Sequence, residues 1–265
     1  MTQHQQTERA QEPPQPFPKV RQVPLMAPFG WLSRGIDDAK HCPRASLFYG
    51  ACFALMGLVL KSVFRNAYEY TFALAAGFLL VAPYLCIGLY EISRRREHDQ
   101  ACALTPTLTA WKANAGAIGV YAVILTLIML VWARASLVTF ALFYTREMPS
   151  MQGFMSQVLS MDNLDFLFIY FLVGALFAAL VFCTSVISIP MLLDRNQDAV
   201  TAVIASFLSV ARNAPTMFLW ALLIVAITLI GFATVFIGLI ITTPIIGHAT
   251  WHAYRDLVEH PPSQR

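Results

Sequence analysis

The run from Pro215 to Gly247, PTMFLWALLIVAITLIGFATVFIGLIITTPIIG, carries no Asp, Glu, Lys, Arg or His. A helix rises about 1.5 Å per residue and a bilayer's hydrocarbon core is about 30 Å thick, so roughly 20 residues cross it. The run is long for one crossing and short for two. With its flanks, Asn213 to Tyr254, it accommodates two crossings and a tight turn near Gly231. One long helix or a hairpin: that choice decides the topology of the whole chain.

Composition points the same way. Of 265 residues, 57% are hydrophobic and only 12% charged, with a mean hydropathy of +0.60. Soluble domains carry about 25% charged residues. Lipid is therefore the solvent for most of this chain, and it reads as an integral membrane protein. The net charge of +3 is small, and the basic residues bunch in a few segments. That bunching is a topology signal and not a nucleic-acid patch. Cys42, Cys52, Cys86, Cys102 and Cys183 are scattered without a C-x-x-C pair. They read as small apolar residues in or near the membrane, with neither metal-site spacing nor a disulfide framework. Residues 1–30 are rich in Gln and Pro and lack an apolar signal-peptide core, so they read as a disordered cytoplasmic tail.

Outward from the decisive run, one unit recurs three times: amphipathic segment, Pro or a small residue, span, loop, and a second span with proline near its end. The first amphipathic segment, Trp31 to Cys42, places Trp31, Leu32, Gly35, Ile36 and Ala39 on one face and Arg34, Asp37, Asp38 and Lys40 elsewhere. The second carries Leu104, Leu108, Trp111 and Ala115 on one side. The third places Val200, Val203, Ile204, Phe207, Leu208 and Ala211 at helical spacing. Spans follow over roughly 44–64, 71–92, from Gly116, and 164–193, with a polar loop between Tyr144 and Asn163. The spans start at His41-Cys-Pro43, Asn114-Ala-Gly116 and Asn213-Ala-Pro215, and the units end in Pro83-YLCIGLYE, Pro190-MLLDRNQD and Pro244-IIGHATWH. Glu91 and His252 both fall eight residues after their proline. Internal repeats fix an architecture. The expected fold is an all-α polytopic bundle of six transmembrane helices in three hairpin repeats, about 31–96, 104–195 and 199–256. A single membrane domain then covers 31–256, with a short polar tail over 257–265.

Six spans with the N-terminus inside leave fourteen of the eighteen Lys and Arg residues on the cytoplasmic side, among them Arg94, Arg95 and Arg96. Only Lys61, Arg65, Arg134 and Arg146 fall outside. The bias predicts both termini in the cytoplasm. Pro83, Pro190 and Pro244 remove backbone hydrogen bonds and either kink their helices near that side or end them there. Gly50 and Gly57, Ala73 and Gly77, and Gly174 and Ala178 are spaced for close helix contact.

Chemistry is sparse. His248 and His252 lie four apart on one helical face, a spacing that can hold a metal, with Glu91 approaching from the second helix. The pair lacks the H-E-x-x-H pattern and reads as interfacial anchoring, with no cofactor expected. Asn114 and Asn213 read as caps or interface contacts. The chain has no Walker-type glycine loop, no G-x-S-x-G and no carboxylate pair deep within a span, so no catalytic residue is assigned.

The combination GWLSRGIDDAKHCPRASLFYG, GLYEISRRRE, SVISIPMLLDR and the closing GHATWHAYRDL resembles an uncharacterised bacterial integral-membrane family, domain of unknown function 2189. Members are sometimes labelled cytochrome c oxidase subunit I-like, but a haem-copper oxidase needs histidines deep in several spans, and here only His248 and His252 come near a span's end. The resemblance implies a bacterial inner-membrane location and supplies no activity. Three functions compete: a permease-like protein with hairpins around a polar path, an accessory or assembly protein of a membrane complex, and a redox enzyme built on His248 and His252. The permease stands first. The lipid bilayer is the expected partner, with a second membrane protein or another copy of the chain beside it.

Overall fold

The structure, a computed structural model, describes residues 18–67, 70–143 and 164–259. The expected polar loop between Tyr144 and Asn163 lies outside those residues. Among the described residues, ten α-helices and one 3-10 turn account for nearly the whole chain, with no strands beyond a single bridge between Val20 and Val258. In chain order they are α1 (Ala27–His41), α2 (Pro43–Asn66), α3 (Thr71–Glu97), α4 (Leu104–Leu108), a 3-10 turn (Ala110–Asn114) and α5 (Ala115–Phe143). Then come α6 (Leu164–Ser185), α7 (Ser188–Asp194), α8 (Ala199–Arg212), α9 (Ala214–Ala233) and α10 (Leu239–Leu257).

The decisive run is two helices. α9 ends at Ala233 and the chain reverses over 234–238 before α10 starts. The turn falls after Gly231, which itself lies inside α9 against Leu239 and Thr242 of the returning arm. Thr234 closes the turn: its hydroxyl donates to the Gly231 carbonyl (2.9 Å) and accepts from the Gly238 N–H (2.7 Å).

Five stretches are long and apolar enough to cross a membrane: Pro43–Asn66, Gly77–Glu97, Ala110–Phe143, Leu164–Asp194 and Ala214–Ala233. Their outward faces carry large apolar side chains, such as Val123 and Leu127 on α5 and Phe168, Phe171 and Leu176 on α6, as a lipid-facing surface requires. α10, expected as a sixth span, is long enough, yet its C-terminal half, His248 to Leu257, is too polar to qualify. It is instead buried on all sides from Gly247 to Tyr254, surrounded by α1, α2, α3 and α9.

Glycines let the chain crowd around α10. A Cβ on Gly50 of α2 would stand 2.1 Å from the Ile240 carbonyl oxygen, and one on Gly35 of α1 would stand 2.7 Å from the Ala249 nitrogen. Ile240 is the residue whose carbonyl loses its helical donor because Pro244 has no N–H. Gly50 lets the α2 backbone lie directly against that carbonyl. Gly57 packs the same way on Phe236, and Gly88 on the Tyr49 ring. Gly77 and Gly174, also expected at contacts, have nothing within 4 Å where a Cβ would sit.

The amphipathic segments differ from their expected faces. On α8, Ala199, Ala202, Ala205, Ser206 and Ser209 are buried, while Val200 and Phe207 face outward. The small face packs because Ser206 accepts from the Ile187 N–H (3.2 Å) and Ser188 donates to the Ala202 carbonyl (3.1 Å). Next to lipid no hydrophobic force draws the large side chains inward, so close polar contact chooses the face. The second segment is not one helix but α4 followed by the 3-10 turn, with Leu108 and Trp111 exposed and Thr107 buried. α1 starts at Ala27, ahead of Trp31, and buries Trp31, Gly35 and Asp38 while Ile36 faces out.

Two further expectations change. Residues 18–30 are ordered rather than tail: Arg21 N–H donates to the Leu257 carbonyl (2.7 Å) and Glu259 N–H to the Lys19 carbonyl (2.9 Å). The same pairing orders 257–259 at the start of the expected C-terminal tail. Pro190 lies within the stretch 164–194 but does not kink a continuous helix there. The helix breaks at 186–187, and Pro190 occupies the first turn of α7, where a missing N–H costs nothing. Pro83 and Pro244 do lie inside α3 and α10.

Substituting Gly50→Ala forces a methyl into the Ile240 backbone and separates α2 from α10, with an expected loss of about 1–3 kcal/mol. Gly77→Ala, placed in open space, leaves stability unchanged within about 0.5 kcal/mol. Thermal unfolding of the two variants side by side in detergent checks the contrast.

Candidate functional site

Asp38 has the sequence position of a solvated residue on an amphipathic helix, yet only 3% of it is exposed. It follows Trp31 and Gly35 at helical spacing, so the face of α1 that meets α10 carries it inward. One carboxylate oxygen, Oδ2, accepts from the Ser93 hydroxyl (2.6 Å) and meets Nε2 of His252 (2.9 Å). The other, Oδ1, takes the Arg96 guanidinium, which also holds the exposed Asp37. An ionised group removed from water survives only with such a complete set of partners.

The chain of contacts runs on. Ser93 Oγ lies 2.8 Å from His248 Nδ1, and His248 Nε2 lies 2.9 Å from Ser46 Oγ. Ser93 spends its one proton on Asp38, so its oxygen accepts from His248 Nδ1–H. The neutral His248 ring then accepts the Ser46 hydroxyl proton at Nε2. Ser46, His248, Ser93, Asp38 and His252 thus form one hydrogen-bonded row joining α1, α2, α3 and α10. His248 is wholly buried and Ser46 nearly so. Toward the surface, Glu97 stands 4.0 Å from His252 Nδ1 and pairs with Arg255 (3.1 Å), which reaches Asp194 (3.6 Å). Tyr254 donates to that same Asp194 (2.7 Å) and accepts from Arg195 (3.0 Å).

Electrostatics follow from this packing. Burial alone raises the Asp38 pKa. The hydrogen bonds from His252 and Ser93, with the nearby imidazole charge, outweigh it and hold the carboxyl below its ordinary value.

The structure brings His248 and His252 together as the sequence implied, but as members of a buried network and not as exposed interfacial anchors. Glu91 does not join them. It is buried against its own helix, with Arg94 at 2.7 Å and Arg95 at 4.0 Å. Among the described residues, no three or more His, Cys, Asp and Glu side chains are arranged to hold a metal ion. Asn114 and Asn213 each tie down a passing chain. Asn114 Nδ2 contacts the carbonyls of Leu192, in the last turn of α7, and of Arg195 and Gln197 just beyond it, at 3.0–3.4 Å. Asn213 accepts from the Val23 N–H (2.9 Å) and donates to the Arg21 (3.0 Å) and Ser209 (3.1 Å) carbonyls, making no cap bond to α9. Pro83 lines an apolar cavity of about 220 Å³ with Tyr84, Ile118, Tyr121 and Leu192, and no member of the histidine row lines it.

Asp38, Ser46, Ser93 and Arg96 are the site residues that sequence reasoning did not single out. Asp38 left a signal in its spacing from Trp31 and Gly35; Ser46 left none. The scattered cysteines also need correction: Cys42 and Cys102 are bonded, with Cα atoms 5.5 Å apart. Their separation of 60 residues hides a contact that only the return of the chain after α3 creates.

A carboxyl with a lowered folded-state pKa contributes stability above its unfolded value, about 3.9, and loses it as pH falls through the folded value. Stability of the solubilised protein is therefore expected to hold down to about pH 4 and fall below it, with a shallower fall in Asp38→Asn. At pH 7, Asp38→Ala leaves Arg96 with Asp37 alone and removes the acceptor of His252 and Ser93, and costs about 3–5 kcal/mol. Equilibrium unfolding across pH reads both effects.

Neither a curated protein nor a solved structure matches the chain. Residues 71–194, from the start of α3 to the end of α7, match the model of a family described as predicted integral membrane protein, domain of unknown function 2189.

Proposed function

We propose that this is a permease-like protein of the bacterial inner membrane that moves a small solute, with the Asp38–His248–His252 row as its inner latch. The observation carrying the reading is that row itself. It is a buried, fully partnered set of ionisable groups linking α1 and α2 to α3 and α10, the two helices with proline inside them. Buried ionisable residues in a membrane bundle are costly, and they mark ion and substrate paths. Such a network also has two states: complete, or broken with a charge left unpaired. A proton added to Asp38 removes an acceptor and the charge that Arg96 pairs with, and favours the broken state, which is what a proton-sensitive gate requires.

The reading includes six crossings in three hairpin units. The meeting of Val20 with Val258 supports an even number, because it brings both ends of the described chain to one place. The element order supports the repeat, since a short interfacial segment precedes each of the pairs α2–α3, α5–α6 and α9–α10. Lys and Arg distribution supports the cytoplasm as the side that holds the row and both ends.

Purified protein in liposomes is expected to carry at least one solute of a panel of sugars, amino acids and small anions faster than empty liposomes. Asp38→Asn, which imitates the protonated carboxyl, should remove the pH dependence of that flux while the variant remains folded. If no solute of the panel crosses faster than in empty liposomes, and the native protein emerges from mild detergent with a stoichiometric partner, the chain is an accessory or assembly protein instead.

A further inference from the structure

We propose that Cys42 and Cys102 form a reversible redox clasp that controls the Asp38–His248 latch. The proposal rests on the cytoplasmic orientation given above, not on the identity of any solute. Cys42 is the joint between α1 and α2. Its N–H donates to the Asp38 carbonyl (2.9 Å) and its carbonyl accepts from the Ser46 N–H (3.1 Å). Two members of the buried row therefore project from either side of one cysteine. The bond ties that joint to the linker after α3, which Arg95 steadies by donating to the Ala101 carbonyl (3.1 Å). Beyond the bond, α4 lies along α3 and touches α2, with Leu104 packed on the cluster of Cys42, Tyr49, Leu89 and Ile92 and Thr107 Oγ1 2.8 Å from the Tyr49 hydroxyl. When the bond is closed, the α1–α2 joint is pinned and Asp38 and Ser46 stay aimed at Ser93 and His248. When it is open, the linker keeps the Arg95–Ala101 and Tyr49–Thr107 hydrogen bonds and the Leu104 packing, but no covalent tie to the α1–α2 joint.

Compartment chemistry makes the bond reversible. Both cysteines lie on the face that carries Arg94, Arg95 and Arg96, and the positive-inside rule assigns that face to the cytoplasm. Thiols there are kept reduced, and disulfides that do form are transient or redox-sensing. Ala101 and Ala103, on either side of Cys102, are exposed, so a small oxidant reaches the linker side of the pair. The step is thiol–disulfide exchange with a small disulfide such as oxidised glutathione. One cysteine thiolate attacks and releases a glutathione thiol, and the second cysteine then displaces the other. Two protons and two electrons leave the protein, and one oxidised glutathione becomes two reduced ones.

The test is differential alkylation with peptide mass mapping of the wild-type chain, first in rapidly quenched growing cells, then in inside-out membrane vesicles treated with oxidised glutathione. The expected result is free Cys42 and Cys102 in cells, a bond between them in treated vesicles, and a rise in unfolding midpoint of roughly 5 °C or more on oxidation. Cys102→Ser should show no rise, and Cys52, Cys86 and Cys183 should stay free throughout. A bond already closed in growing cells overturns both the switch and the cytoplasmic orientation. Thiols that stay free in excess oxidised glutathione overturn the switch and leave the orientation standing. A bond that forms without changing the midpoint overturns its role as a clasp. Failure of the solute-flux experiment affects none of these readings.

Discussion

A carboxylate held out of water sets the terms for the rest of this molecule. Asp38 needs Arg96, Ser93 and His252 at once, and those groups come from two other helices. Meeting that need places the C-terminal turns of α3 beside α10 and lays α1 across α10. Nearby polar pairs then complete the same face: the Trp31 indole N–H donates to Asp256 (2.8 Å), and Arg34 binds the same carboxylate. In lipid, where apolar burial drives little association between helices, such directional contacts carry a larger share of specificity than they would in a soluble core.

Close approach makes that arrangement possible. α10 is encircled because α1 and α2 offer Gly35 and Gly50 where any side chain would strike backbone. Pro244 and Gly50 meet at one place: the proline frees the Ile240 carbonyl, and the glycine lets the α2 backbone pack against it. A proline that looks like a simple hinge in isolation therefore has a packing partner one helix away. Pro190 has no such role, since the chain has already broken ahead of it and it serves as the first turn of a short helix.

The interfacial segments show how environment redirects familiar patterns. An apolar stripe at helical spacing normally marks the face turned toward a protein core. On α8, Val200 and Phe207 of the stripe are exposed, Val203, Ile204 and Leu208 are half-buried, and the alanine-serine face is inside. On α1 the face holding Trp31 and Gly35 is inside as expected, but it takes Asp38 with it. The outcome on α8 follows from a solvent that is apolar on the outside, and that on α1 from the partners waiting on α3 and α10. Large side chains gain nothing by moving from lipid to protein, while small ones permit backbones to approach and polar ones find partners.

The sequence by itself determined the helical class, the membrane as solvent, the positions of most spans within a few residues, and the histidine pair on one face. These depend on composition and local periodicity, which a single segment expresses without its neighbours. Only the tertiary structure decided that the run after Pro215 turns at 234–238, that Asp38 is buried, that Glu91 stays with its own arginines, and that Cys42 meets Cys102. Each of those is a choice among partners distant in the chain. Such choices are set by which groups can satisfy a buried charge and which backbones can touch, and spacing along one helix does not encode either.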